Sequence, residues 1–245
     1  MKQLKLLATI CVAAGMLFLS SCNSGKDKKT DEGSADTSTV KTDTTTAAVT
    51  TTTGPATLMS IKHKVANYVK WKPFYDAHDS VRQANGLHNY VIARGTEDSN
   101  MVLIALRMDD VDKAKAMAAS SELKDRMKNA GVTGPASFDY ITTVMNDTTA
   151  IQQTVRLLVK HKVKDWDAWK KVFDDHKQAR VDAGLTDRLV GYTIGDNHNV
   201  SLVFAVTDMA KAKAFINSKD LKDKMKEAGV EGPPSFFFYR IVEKY

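Results

Sequence analysis

Residues 123–138 read LKDRMKNAGVTGPASF and residues 221–236 read LKDKMKEAGVEGPPSF, with twelve of sixteen positions identical at an offset of 98. The same offset pairs His63 with His161, Trp71 with Trp169, His78 with His176, Gly86 with Gly184 and Asp110 with Asp208. No gap is needed between about residue 59 and residue 144. A duplication of this quality requires two copies of one supersecondary unit.

The unit is legible in its periodicities. Val155, Leu157, Val159, His161 and Val163 alternate with polar or outward positions, as do Met59, Ile61, His63 and Val65, so each copy opens with a strand. Trp166, Trp169, Phe173 and His176 then recur at helical spacing, matched by Tyr68, Trp71, Tyr75 and His78. One helix is expected there, ending at Gly86 or Gly184; Pro73 predicts that the first copy's helix starts later or bends. Two strands follow, with Val102, Ile104, Leu106 and Met108 alternating in the second, as do Val200, Leu202, Phe204 and Val206. Asp110 and Asp208 are placed to cap a second helix, which Ser120 and Ser218 divide. Gly131 or Gly229 ends it, and a last strand runs Phe138 to Val144 or Phe236 to Val242. The order is βαββαβ, the split βαβ ferredoxin-like unit.

One such unit covers one sheet face with helices and leaves the other bare. Two units in one chain solve this by facing each other. The expected fold is therefore α+β: two tandem ferredoxin-like repeats, residues 57–146 and 152–245, closing an intrachain, pseudo-dimeric barrel ringed by helices. The duplication also makes a monomer the expected state.

The N-terminus sets the expected address. Lys2 and Lys5 precede an apolar run from Leu6 to Leu19, too short to span a bilayer as a mature helix, so residues 1–21 read as a signal peptide. Leu19-Ser20-Ser21-Cys22 resembles a bacterial lipobox, which implies lipidation of Cys22 and a membrane anchor. Asn23 stands where some lipoproteins carry the Asp of inner-membrane retention, so the resemblance points to the outer membrane of the cell envelope. Residues 22–56 are rich in Thr, Ser, Lys and Asp, the composition of a disordered tether reaching roughly 30–35 Å. With Cys11 inside the leader and Cys22 the lipid site, no thiol remains for a disulfide or thiolate metal site. The net charge of +6 is spread among acidic residues rather than concentrated in a stripe, which argues against nucleic acid as partner.

HKVxDWxxWKxxFDxH followed by SxxLKxxMxxAGVxGPPxF resembles the dimeric α+β barrel superfamily, near antibiotic-biosynthesis-monooxygenase-like domains. The resemblance covers both repeats and is closest in the second, since Lys72-Pro73 and Ala136 depart from it in the first. It implies the fold. Its activities range from cofactor-free oxygenases and haem enzymes to proteins without a known reaction, so it admits haem without requiring any cofactor.

The paired histidines His63 and His78, and His161 and His176, are the candidate ligand-binding or proton-transfer groups, because strand and helix packing brings them close. Their competing role is that of core-edge side chains bonded to backbone or water. Trp71 and Trp169 read as core or as cofactor wall. Arg94 and Arg107, replaced by Tyr192 and Ala205 in the second copy, are candidates for an anion site if either lines the barrel. No spacing completes a metal site, and no Ser-His-Asp order, P-loop, GxGxxG or HExxH appears. Three functions stay open: a tethered module binding a small apolar or aromatic molecule in the barrel or the crevice between repeats; an oxygenase-like enzyme; or a non-catalytic barrel plugged by Phe236, Phe237, Phe238 and Tyr239.

Overall fold

The computed structural model describes residues 55–245. The signal peptide, Cys22 and all but the last two residues of the tether lie outside these. Within them, the first repeat runs β1 (Thr57–Lys64), α1 (Tyr68–Ala77), α2 (Asp79–Ala84), β2 (Leu87–Gly95), β3 (Met101–Met108), α3 (Val111–Ala119), α4 (Ser121–Asn129) and β4 (Ser137–Asn146). The second repeats it as β5 (Val155–Val163), α5 (Trp166–Asp175), α6 (Lys177–Asp182), β6 (Leu185–Thr193), β7 (Asp196–Val206), α7 (Met209–Asn217), α8 (Lys219–Glu227) and β8 (Val230–Lys244). All strand pairs are antiparallel, and they close in the order β1-β3-β2-β8-β5-β7-β6-β4. The two sheets join at β2–β8, from Val91 opposite Lys244 to Gly95 opposite Tyr239, and at β4–β6, from Ile141 opposite Thr193 to Asn146 opposite Leu189. Each repeat thus covers the bare sheet face and both free edges of the other.

Local signals set the helix boundaries. Asp110 accepts from the backbone N–H groups of Asp112 and Lys113, and Asp208 from that of Lys211. Ser120 and Ser218 each accept from the amide three residues on, at 3.1 Å, and start α4 and α8. Gly131 and Gly229 take φ of +81° and +72° just past those helices, the left-handed conformation in which glycine carries no Cβ penalty. Two expectations need correction. Pro73 does not delay α1, which starts behind its cap Asn67 at the position equivalent to the start of α5. The first helix of each repeat is also not continuous: His78 and His176, with ψ of 11° and 14°, separate α1 from α2 and α5 from α6. The break has a cause. Arg82 Nη1 donates to the Tyr75 carbonyl at 2.7 Å, and Arg180 Nη1 to the Phe173 carbonyl at 2.5 Å. Each buried guanidinium takes an oxygen at the end of the first helix.

Strand alternation sorts side chains into three cores. Met59, Ile61, Val65, Trp71, Val102, Ile104 and Leu106 lie between the first sheet and its helices. Leu157, Val159, Val163, Trp169, Leu202, Phe204 and Phe238 do the same in the second repeat. The opposite faces meet inside the barrel, where Ala93 and Leu103 of the first repeat pack with Leu158 and Tyr239 of the second. Phe237 and Tyr239 stack there with centroids 5.9 Å apart, the Lys62 ammonium lies over Phe237, and Lys160 pairs with Asp139 across the repeats. An eight-stranded barrel has an interior about wide enough for side chains to fill, and this cluster occupies its middle. Phe237 and Tyr239 act as the plug, whereas Phe236 and Phe238 point to the helix layer.

Candidate functional site

A crevice of about 440 Å³ opens at the seam of the repeats, among Gly95, Asp98, Met101, Lys213, Phe236 and Phe237; the spaces that hold the candidate histidines lie between each sheet and its helices. In the first repeat a cavity of about 250 Å³ is lined by Ile61 and His63 from β1, Trp71, Phe74 and Tyr75 from α1, His78 and Arg82 at the helix break, Met117, and Leu123, Arg126 and Met127 from α4. The equivalent place in the second repeat holds about 60 Å³, lined by Val159, His161, Trp169, Phe173, His176, Arg180, Phe215 and Lys224 among others. Phe215 stands where the first repeat has Met117, and Ile216 joins the lining. The larger side chains leave room there for a few water molecules at most.

Each cavity is floored by a histidine on the first strand. His63 is 3% exposed and lies 5.6 Å from Trp71, centroid to centroid; His161 is 8% exposed and lies 5.5 Å from Trp169. Neither imidazole has a protein partner on either nitrogen. Burial lowers both pKa values from 6.5 to about 4, so both rings are neutral at pH 7. A buried polar atom without a partner costs about 1–3 kcal/mol, and here four nitrogens carry that cost at equivalent positions.

The repeats then diverge. His176 Nε2 bonds Asp220 at 2.9 Å, while His78 Nε2 is buried without a partner. At the position of Asp220 the first repeat has Glu122, which is held instead by Arg126 at 2.9 Å. The second repeat has Lys224 at the place of Arg126, and Lys224 pairs with Glu227, leaving Asp220 for the histidine. A second difference concerns the buried arginines. Arg180 is held by both oxygens of Asp187, each at 2.9 Å. Its counterpart Arg82 stacks 3.8 Å from the centre of the Tyr75 ring and pairs with Asp79 through Nη2 at 3.0 Å, but its buried Nε has no partner. Position 89, equivalent to Asp187, is Asn, and Asn89 is occupied by Tyr75 and Asp79. His78 is held below the ordinary imidazole range, mainly by burial and then by the positive charges of Arg126 and Arg82.

Of the residues singled out from sequence, His63, Trp71 and His78 come together in one cavity and His161, Trp169 and His176 in the other. Arg94 and Arg107 line neither. Arg94 reaches out to the Tyr68 ring and donates to the Ser99 carbonyl at 2.6 Å; Arg107 is exposed and lies over Tyr90. Arg82 and Arg180 are inconspicuous in the sequence, because an arginine in a polar-looking helix reads as solvated. Their identity across the duplication is the signal that could have found them. Among the described residues no group of three His, Cys, Asp or Glu is placed to hold a metal, and no helix is long and apolar enough to cross a membrane.

No family model matches the sequence, and no curated protein does. Solved structures share the fold. An anthrone oxidase-like protein aligns with a TM-score of 0.51 at 12% identity, covering 78% of this chain and 92% of its own. A haem-binding protein from Thermus thermophilus aligns with a TM-score of 0.48 at 9% identity over 79% and 94%. A mutant chlorite dismutase from Candidatus Nitrospira defluvii aligns with a TM-score of 0.45 at 8% identity over 77% and 92%. At 12% identity the anthrone oxidase-like protein, with its TM-score above 0.5, speaks for the fold alone. The chain has the dimeric α+β barrel fold, with both halves of the barrel in one polypeptide.

Proposed function

We propose that this is a membrane-tethered binding protein that takes up a small, largely apolar or aromatic molecule in the layer between sheet and helices. The observation that carries the reading is the 250 Å³ cavity of the first repeat, apolar on most sides and holding buried imidazole nitrogens without protein partners. Ligand sites generally combine an apolar wall with a few placed polar groups. The barrel lumen and its side-chain plug serve as the rigid frame. Lipidation of Cys22 supplies the anchor, and residues 22–56 set the distance to an outer membrane.

Haem fits poorly. His63 and His161 have the right donor atoms, yet cavities of 250 and 60 Å³ lie below the roughly 300–1,000 Å³ of sites for drug-sized ligands, and the macrocycle is at least that large. A proton-abstracting role suits His63 no better, because a base with a pKa of about 4 is weak at neutral pH. Both facts favour binding over catalysis. Native mass spectrometry of the protein as purified, followed by thermal unfolding with added small aromatics, tests the reading. A bound mass that leaves on unfolding, or a rise in Tm with ligand, is expected. An apo protein whose Tm no aromatic moves would overturn it.

A further inference from the structure

We infer that the two cavities have divided their roles, that the first repeat alone binds ligand, and that the ligand is an apolar or aromatic anion such as a carboxylate or phenolate. This rests on the binding function proposed above and specifies its site and chemistry.

The guanidinium of Arg82 is 3% exposed, its Nε lies within the protein without an acceptor, and it lines the larger of the two sheet–helix cavities. His78, 7% exposed, adds an Nε2 without a partner on the same wall. Arg126 adds a second guanidinium at the rim. Asp79 is 37% exposed against 3% for Arg82, so in that pair the carboxylate sits toward solvent and the cation inside; Arg126 and its partner Glu122 are 49% and 61% exposed. No Asp or Glu lines it. A neutral apolar guest would leave Arg82 Nε and His78 Nε2 unpaired; an anion can accept from Arg82 Nε and from whichever imidazole nitrogen carries a proton.

The second repeat provides the internal control. There Asp187 takes the arginine and Asp220 takes the histidine, both from outside the lining of the second cavity, whereas the equivalent Asn89 and Glu122 are bonded elsewhere and leave the donors of the first repeat unpaired. The protein supplies in one half the anionic groups that, on this reading, the ligand supplies in the other.

The test compares 2-naphthoate with neutral 2-naphthamide on the full-length protein in detergent, by calorimetry and by tryptophan fluorescence in Trp71→Phe and Trp169→Phe backgrounds. Naphthoate is expected to bind about ten- to a hundredfold more tightly than the amide, with a signal lost on Trp71→Phe and kept on Trp169→Phe. Copying the second repeat into the first, with Asn89→Asp and Asp79→Lys together, should remove that preference while the protein still folds and unfolds cooperatively. Because Arg82→Gln risks the fold, His78→Gln serves as the single-site variant and should weaken naphthoate but not naphthamide. Equal affinity for both probes, or a site reported by Trp169, overturns the inference and leaves the general binding reading in place. Binding of neither probe overturns the inference, and it overturns the general reading as well if the protein is also apo by mass and no other aromatic moves its Tm.

Discussion

Arg180 and Asp187 form a buried two-pronged ion pair, with both N···O distances 2.9 Å, and the residues 98 positions earlier, Arg82 and Asn89, do not. The same position carries a carboxylate in one half of the molecule and an amide in the other. The pairing also predicts where stability is concentrated. Asp187→Asn leaves the Arg180 charge inside the protein with its partner neutralised, and breaking such a pair typically costs about 3–5 kcal/mol. Urea unfolding should show a loss of that order, whereas Asn89→Ser in the first repeat should cost under about 2 kcal/mol.

The two buried strand histidines make stability depend on acid. Folded, His63 and His161 titrate at about 4; unfolded, they titrate near 6.5. Their contribution is complete above pH 6.5, is lost as pH falls from 6.5 to about 4, and changes no further below. Each histidine accounts for up to about 3 kcal/mol across that window. Unfolding free energy measured from pH 7.5 to pH 4.5 should fall accordingly, and His63→Leu should remove about half of the part that these two histidines contribute. A profile unchanged by His63→Leu would show that the ring is not buried as described.

The seam between repeats has a point of close approach. A Cβ on Gly191 would lie 2.6 Å from the Thr142 carbonyl oxygen and 2.9 Å from Ile141 Cγ2, both on the opposite strand. Gly191→Ala must therefore push β6 from β4, and overpacking of this kind costs about 1–3 kcal/mol. Differential scanning calorimetry should show a lower Tm, with hydrogen exchange rising first along Ile141–Asn146.

The lumen plug is structural. Tyr239 is 5% exposed between the two sheets, so Tyr239→Ala should cost about 3–5 kcal/mol without altering ligand affinity in the helix layer. A large change in affinity would place the ligand inside the barrel instead.

Much of this fold can be read from the chain because the duplication samples every signal twice. Caps such as Asp110 and Asp208, or Ser120 and Ser218, act through side chains a few residues from the amides they bond, so spacing suffices. The α1–α2 break is hidden because its cause, Arg82 bonding the Tyr75 carbonyl, is a tertiary choice of rotamer. Alternation also separates the two faces of β1 without saying which looks into the barrel. That is why His63 is recognisable as a candidate while the helix layer, as opposed to the barrel interior, is not recognisable as its setting. Arg94 lies beyond the bulge after Asn89, which shifts the alternation of β2, while Arg107 falls on the barrel-side face of β3 that Leu103 shares, at its exposed end.

The proposed anchor is tested by Cys22→Ser. If Cys22 carries a lipid, the variant should move from the membrane fraction to the soluble one with its fold unchanged, since the barrel draws on residues from Thr57 onward. Retention of the variant in membranes would contradict the anchor.

The most direct measurement is a crystal structure of the protein with 2-naphthoate. The account predicts the ring between Trp71, Phe74 and Met117, with the carboxylate at Arg82 Nε and His78 Nε2, and the second repeat's cavity without it. Density for the ligand among Leu103, Leu158 and Tyr239 in the barrel lumen, or against His161 in the second repeat, would contradict it.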